Sequence, residues 1–329
     1  FRSGKALVPF RLTGNIAWGV PVTDECGCSG LTCWVWPESL WAPVSFTRTA
    51  LAADEQAGGT RYAAHDWRDW WCDPEAHVYQ FIGQDNIYFY GIAQTAMWEA
   101  LGWNMQQSTL VANYHVLYMG KKASSSSKTP PPPASELLDH YSAEQLRAHF
   151  LSLGLGEKPV SFSPKAYDLR ETGKNPDGTP LLARDDKRVI DPVLKEGTLL
   201  TGVFNRLARS CFYGVAVKDG DPSTGCIPAG EASAEATEAA EQAALAFEQA
   251  MWRTELHRAL GVCDAFLRTA NKRWSDASKA AKAAQKDDKA AGDALMHQAL
   301  VDAFLELRVA TVLMHGIVPA GCELICEHF

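Results

Sequence analysis

Three groups of side chains in this sequence have the types and spacing for chemistry. The first is a glycine and a carboxylate, Gly83 and Asp85, at the end of the run Val78-Tyr79-Gln80-Phe81-Ile82. Carboxylate oxygens accept hydrogen bonds from two vicinal hydroxyls, the feature a ribose presents. Asp85 could equally cap a helix beginning at Asn86, and the residues leave both readings open. The second group is Cys26, Cys28 and Cys33. A tetrahedral zinc site takes four ligands, commonly in closely spaced pairs, so these three read as free thiols and no metal is assigned. The third is the pair Lys121-Lys122, which reads as solvated loop cations. The histidines are dispersed, none pairing with Glu at helical spacing, and His115 reads as a partnered core or edge residue. Neither a Gly-x-Ser-x-Gly elbow nor a Gly-rich phosphate loop is present.

Positioning Gly83 and Asp85 requires a strand before them and a crossover after them. Val78–Gly83 is a short β-branched and aromatic run ending in Gly, as a strand does at its carboxyl end. Ile87, Ile92, Met97 with Trp98, and Leu101 then recur at mostly helical spacing up to Gly102, a helix terminator. Thr109–Tyr118 returns to strand character. Such a β-α-β connection is right-handed with parallel strands, and ligands of open parallel sheets bind beyond the strands' carboxyl ends. Gly83 and Asp85 therefore sit where a nucleotide or its sugar would.

The rest of the chain divides by composition. Ala123–Pro133 is a Ser and Pro tract that can continue neither a helix nor a central strand, so an exposed loop is predicted. From about Asp191 the pattern is helical. Leu256, Leu260, Cys263, Leu267 and Ala270 form one stripe; Leu300, Phe304, Leu307, Val312 and Met314 form another. Ala277–Ala291 is an Ala and Lys run without an apolar face, predicted to be solvated or frayed, and Asp219–Gly230 reads as a flexible insertion.

At 329 residues and 47% apolar content, the chain is long enough for about two domains. A formal net charge of -8 argues against general nucleic-acid affinity but allows a local basic patch. No apolar run reaches the roughly 20 residues of a membrane span. Nine scattered cysteines fit a reducing compartment better than a disulfide framework, and Phe at position 1 leaves a processed leader open.

Several segments, in order, resemble the methionyl-tRNA synthetases, a class I aminoacyl-tRNA synthetase family. Trp18-Gly19-Val20-Pro21-Val22 is similar to their WGIPV, Val35-Trp36-Pro37-Glu38-Ser39 to the VWFDA strand, and Phe81 to Tyr90 to FIGKDIVYFH. Trp67-Arg68-Asp69-Trp70-Trp71 resembles the tryptophan-rich segment between them, and Tyr141 to Arg147 resembles YGADALR. Further on, Val203-Phe204-Asn205-Arg206 is similar to NLVNR and Ala270-Asn271-Lys272 to ANKYI.

The resemblance implies an α/β fold: the second half of a class I synthetase Rossmann-like nucleotide-binding domain, followed by an α-helical bundle like the anticodon-binding domain. The implied divisions are 1–135 for the Rossmann-like part, 136–190 for a connecting stem-contact-like segment and 191–329 for the bundle. It also implies a vestigial nucleotide site at Gly83, Asp85 and Lys122, the last being the first Lys of a KMSKS loop, and a vestigial methionine pocket at Trp36 and Tyr90. Read from its residues alone, Trp36 is a strand-core tryptophan.

Departures from the family pattern fall on the working atoms. No HIGH motif occurs, and the phosphate-meeting second Lys of KMSKS is Ser125. Gly14 and Asn15 replace the Arg and Asp before WGIPV; Tyr90 and Gln94 replace the pocket His and Trp. The anticodon-reading Trp falls near Ala280, with Trp274 displaced from it. The expectation is a catalytically inactive relative, without catalytic residues or a cofactor, acting as a structural or protein-binding subunit of a larger, translation-related assembly. Its expected partners are protein subunits, with RNA contact through a local patch and no membrane. Its expected compartment is intracellular and reducing, mitochondrial or another organellar matrix. The alternatives are an active methionine-tRNA ligase whose N-terminal half lies elsewhere, using ATP, and a sensor that binds methionine or nucleotide without reacting.

Overall fold

The computed structural model describes residues 11–106, 108–123, 130–131, 133–163, 191–215 and 226–328. It divides into two compact units, Phe1–His115 and Val116–Phe329.

In the first unit, β1 (Thr13–Gly14) pairs antiparallel with β2 (Thr32–Cys33) and leads into helix α1 (Val35–Gln56) and the short α2 (Trp67–Trp71). Strand β3 (Val78–Gly83) runs parallel to β4 (Ser108–Asn113), Val78 opposite Ser108 and Gly83 opposite Asn113. The connection is the expected crossover, with α3 (Gln94–Ala100) stopped by Gly102 at φ +68. It is not one regular helix: a 3₁₀ turn at Gln84–Asn86 and a wider π turn at Phe89–Ala93 precede α3. Val44, Trp71 and Trp98 form the core beneath, Trp71 meeting Trp98 edge-on at 5.6 Å and donating its indole N–H to Thr47 Oγ1.

Two sequence expectations change here. Val35–Ser39 is the first turn of α1 rather than a strand. Pro37 has no N–H for a central ladder, but the first turn of a helix leaves that donor unused. The predicted strand Thr109–Tyr118 is two strands in different sheets, β4 ending at Asn113 and β5 being Val116–Tyr118.

The second unit begins with β5, which pairs antiparallel with β6 (Lys121–Lys122) and parallel with β7 (Val160–Phe162). Met119 and Gly120 both have positive φ, 49 and 78, so β5 and β6 close through a two-residue turn whose twist matches that of the strands. The lysines thus stand on an exposed strand rather than in a loop. Within the Ser and Pro tract, residues 124–129 and 132 lie outside the described residues, as does most of the predicted insertion at Asp219–Gly230.

Helices α4 (Ala134–Leu137) and α5 (Ala143–Ser152) follow, α5 opened by a reciprocal Ser142 and Gln145 capping box. The bundle starts at α6 (Pro192–Thr198), capped by Asp191, and continues through a π turn at Leu199–Phe204 into α7 (Asn205–Gly214). Helices α8 (Ala234–Trp252), α9 (Leu256–Asp287), α10 (Lys289–Met314) and α11 (Pro319–Cys326) complete it.

Leu260, Cys263, Leu267 and Ala270 interlock with Leu300, Phe304, Leu307 and Met314, as the stripes predict, whereas Val312 is 71% exposed. The Ala and Lys run is not frayed: α9 stays helical to Asp287 and buries Ser278 and Ala281. Small side chains allow this by bringing backbones close together. A Cβ added at Gly292 would fall 2.4 Å from the Gln285 backbone nitrogen. Burial pushes the core thiols of Cys211, Cys263 and Cys322 up to about 12, so they behave as small hydrophobes.

Two buried ionisable groups set testable limits on this unit. Glu306, 1% exposed, is ion-paired to Arg273, which also reaches Glu235 at 3.1 Å and so joins α8, α9 and α10. His149 is packed against Phe150 and Phe162, and neither ring nitrogen has a hydrogen-bond partner among the described residues. Burial lowers its pKa, against an opposing pull from Asp191.

Arg273→Met should destabilise the protein by about 3–5 kcal/mol because it strands the buried Glu306 carboxylate, whereas Arg273→Met with Glu306→Leu should cost far less; urea denaturation measures both. For His149 the unfolded chain binds the proton more readily, so stability is lost as pH falls below about 6.5 toward the lowered folded value. Denaturation across that range should show a shallower pH slope for His149→Phe than for the parent, and equal slopes would refute the assignment.

Candidate functional site

The carboxyl end of β3 brings Gly83 and Asp85 together. Gly83 occupies the cap position of the 3₁₀ turn, and Asp85 makes no capping hydrogen bond. Its carboxylate is exposed and turns back over Gly83, where an added Cβ would lie 2.7 Å from Asp85 Oδ1. The bare glycine leaves the carboxylate room in this position, which a side chain at 83 would make it vacate. Asp85 has neither a hydrogen bond nor an ion pair among the described residues, so both its oxygens remain available to accept from hydroxyls. Lys122 stands exposed on β6 of the second unit, and Ser125 lies outside the described residues.

Trp36 and Tyr90 converge where the first turn of α1 meets the π turn. Trp36 is half-buried and stacks on Phe89, ring centroids 4.5 Å apart at 23°. It therefore belongs to a helix start rather than to the apolar strand inferred from its neighbours. The Tyr90 hydroxyl donates to the Ser39 carbonyl at a long 3.5 Å. In an unbroken helix that carbonyl would accept from the residue four positions on, which is Pro43 and has no N–H. Tyr90 thus serves a backbone group that the proline leaves without its helical donor.

Gln94 completes the arrangement, 1% exposed and bonded at both ends of its amide. Gln80 Nε2 on β3 donates to Gln94 Oε1 at 2.8 Å, and Gln94 Nε2 donates to the Leu40 carbonyl at 2.6 Å. The sequence marks Gln94 only as a replacement for a pocket tryptophan. Its partners Gln80 and Leu40, 14 and 54 residues away, could not be inferred from spacing. Phe89 was missed for the same reason.

The remaining candidates divide between structural and surface roles. Cys26 and Cys33 are exposed and Cys28 half-buried; no cluster of three or more His, Cys, Asp or Glu able to hold a metal occurs among the described residues. Asp54 accepts from the N–H groups of Arg61 and Tyr62 and contacts His65 Nε2 at 3.0 Å, closing the loop after α1. Trp274 packs against the bundle core, and Ala280 is exposed. An open cleft of about 430 Å³ is lined by Arg206, Arg268, Asn271 and Lys272; beside it, Arg209 lies over the ring of the exposed Tyr213 at 5.3 Å. Of these residues, the motifs include Arg206, Asn271 and Lys272; the basic and aromatic patch they join is a product of the helix packing.

Residues 4–170 match the family described as tRNA synthetases class I (M). The chain belongs to this family. The second half of its Rossmann-like domain and its helical bundle have the class I synthetase fold. Among curated relatives of this synthetase-family chain, the methionine–tRNA ligase of Methanoculleus marisnigri is 31% identical over 160 residues, covering 48% of the chain and 22% of that protein. The ligase of Sulfurisphaera tokodaii is 34% identical over 121 residues, covering 36% and 20%. The chain thus matches about a fifth of these relatives' length. Mycobacterium tuberculosis methionyl-tRNA synthetase bound by methionyl-adenylate superposes with a TM-score of 0.66 at 18% identity, over 96% of this chain and 53% of that one. At that identity the likeness speaks to the fold, bundle included.

The amide bridge makes a prediction for this family member. Gln94→Leu should destabilise the first unit by about 1–3 kcal/mol, because it leaves the buried Gln80 amide unpaired. Gln80→Leu combined with Gln94→Leu should recover most of that loss, which a double-mutant cycle under denaturant would show.

Proposed function

We propose that this chain is a methionyl-tRNA synthetase relative that no longer activates methionine and acts as a structural or protein-binding subunit of a larger, translation-related assembly. The observation that carries the proposal is the use made of the pocket positions. Tyr90 and Gln94 stand where the resemblance places a His and a Trp; Gln94 is committed to a backbone carbonyl of α1 at 2.6 Å, and the Tyr90 hydroxyl points at another at a long 3.5 Å. A side chain holding a helix together is not available to grip a substrate. Ser125 in place of the second KMSKS lysine supports the same reading, because a hydroxyl does not stabilise developing phosphate charge as an ammonium does. The net charge of -8 suits protein partners better than tRNA, with RNA contact confined to the patch around Arg206 and Arg209. The proposed setting is an intracellular, reducing compartment such as an organellar matrix, and no cofactor is required.

A second reading rests on Gly83 and Asp85. An exposed, unengaged carboxylate over a bare glycine is still shaped for a ribose, and Lys122 keeps the first lysine of the signature loop. In that reading the chain is part of an active methionine-tRNA ligase, with ATP as co-substrate.

Methionine-dependent exchange of pyrophosphate into ATP decides between them. The expected result is no exchange above background, both for the chain alone and with the N-terminal half of a methionine–tRNA ligase supplied as a separate polypeptide. Saturable exchange that Asp85→Ala abolishes would establish the second reading instead.

A further inference from the structure

The solvent face of α8 carries an apolar and acidic stripe that the synthetase reading does not use. Glu238, Leu245 and Trp252 recur every seven residues, and Glu241 and Glu248 fall beside them. The opposite face buries Ala236, Ala240, Ala243 and Ala250 in the bundle. Trp252 is 77% exposed and Leu245 57%, which places two large apolar groups about 10 Å apart on the helix surface. The helix contains four glutamates and no Lys or Arg. Glu235 is engaged by Arg273 and Glu238 by Gln242, whereas Glu241 and Glu248 have neither an ion pair nor a hydrogen bond among the described residues.

We infer that this stripe docks a basic amphipathic helix from a partner protein. An exposed tryptophan two turns from an exposed leucine has the composition of an interface anchor, and the free carboxylates of Glu241 and Glu248 form a charged rim along one side of it. A seven-residue recurrence is the spacing at which a second helix can lie alongside, as in coiled-coil pairing. The charge selects the occupant. RNA, an anionic lipid surface and the same face of a second copy are all repelled by the carboxylates, while a helix with Lys or Arg flanking an apolar seam complements them. The inference deepens the protein-facing reading above by naming the class of partner.

The test uses the full chain and a fluorescein-labelled synthetic Leu/Lys amphipathic peptide of about three heptads, read by anisotropy. Saturable binding that weakens with salt is expected. Leu245→Ser with Trp252→Ser should weaken it by about tenfold or more, the scale of losing an interface anchor. Glu241→Lys with Glu248→Lys should transfer the preference to a Leu/Glu peptide. All four positions are exposed, and circular dichroism checks that the helices persist. Three results would each overturn the proposal: equal binding of a peptide with scrambled apolar positions, unchanged affinity in the Ser variant, or self-association of the chain abolished by the same substitutions. Pyrophosphate exchange is read separately. Exchange with peptide binding intact would remove the inactive reading alone, and loss of peptide binding without exchange would remove the docking surface alone.

Discussion

Proline 43 removes one donor from the middle of α1, and much of the first unit can be understood as compensation for that loss. A helix carrying an internal proline has a carbonyl without its backbone partner and a local bend that must be held in place. Here the holding groups come from the crossover after β3: Tyr90 reaches Ser39, and Gln94 reaches Leu40 while accepting from Gln80. One buried amide therefore ties strand, crossover and helix together. Buried amides demand partners, so the bridge also specifies how the three elements register.

This constraint has a functional side. A crossover that begins with 3₁₀ and π turns places successive residues on unusual faces, directing Phe89 and Tyr90 toward the start of α1. In the family resemblance the same stretch forms a substrate pocket. In this chain the side chains it presents are satisfied within the protein. Asp85, a few residues earlier, is not: its carboxylate is exposed and turns back over the bare Gly83. An exposed carboxylate with no partner among the described residues thus lies a few positions from Tyr90 and Gln94, whose polar groups bond within the protein.

The bundle follows a different logic. Its core is an interlocking of Leu, Phe, Ala and Cys from α7, α9, α10 and α11, with the buried Glu306 carboxylate held by the part-buried Arg273. Alanine and glycine let the α9 and α10 hairpin close tightly as far as Gln285 and Gly292. Outside, the surface is sorted by charge. Arg206, Arg209, Arg268 and Lys272 gather around the clefts of α7 and α9, while the outer face of α8 is acidic and apolar. A chain with a modest overall charge can therefore present two local surfaces of opposite sign.

The strand at Val78–Gly83, its parallel partner, the stop at Gly102 and the buried stripes of α9 and α10 were all legible in the sequence. Each depends on local pattern: β-branched runs, a glycine at positive φ, apolar recurrence at helical spacing. Collinear motifs also carried the family, because order along the chain survives when single sites change. Other features needed the tertiary structure. Val35–Ser39 reads as a strand until Pro37 is seen in the first turn of a helix, and the Ala and Lys run reads as solvated until Ala281 meets the neighbouring helix. Trp36 on Phe89, Tyr90 at Ser39 and Gln94 between Gln80 and Leu40 join residues 14 to 54 positions apart. Local propensity carries no record of such partners; only closure of the fold decides whether a polar side chain is free for chemistry or already engaged.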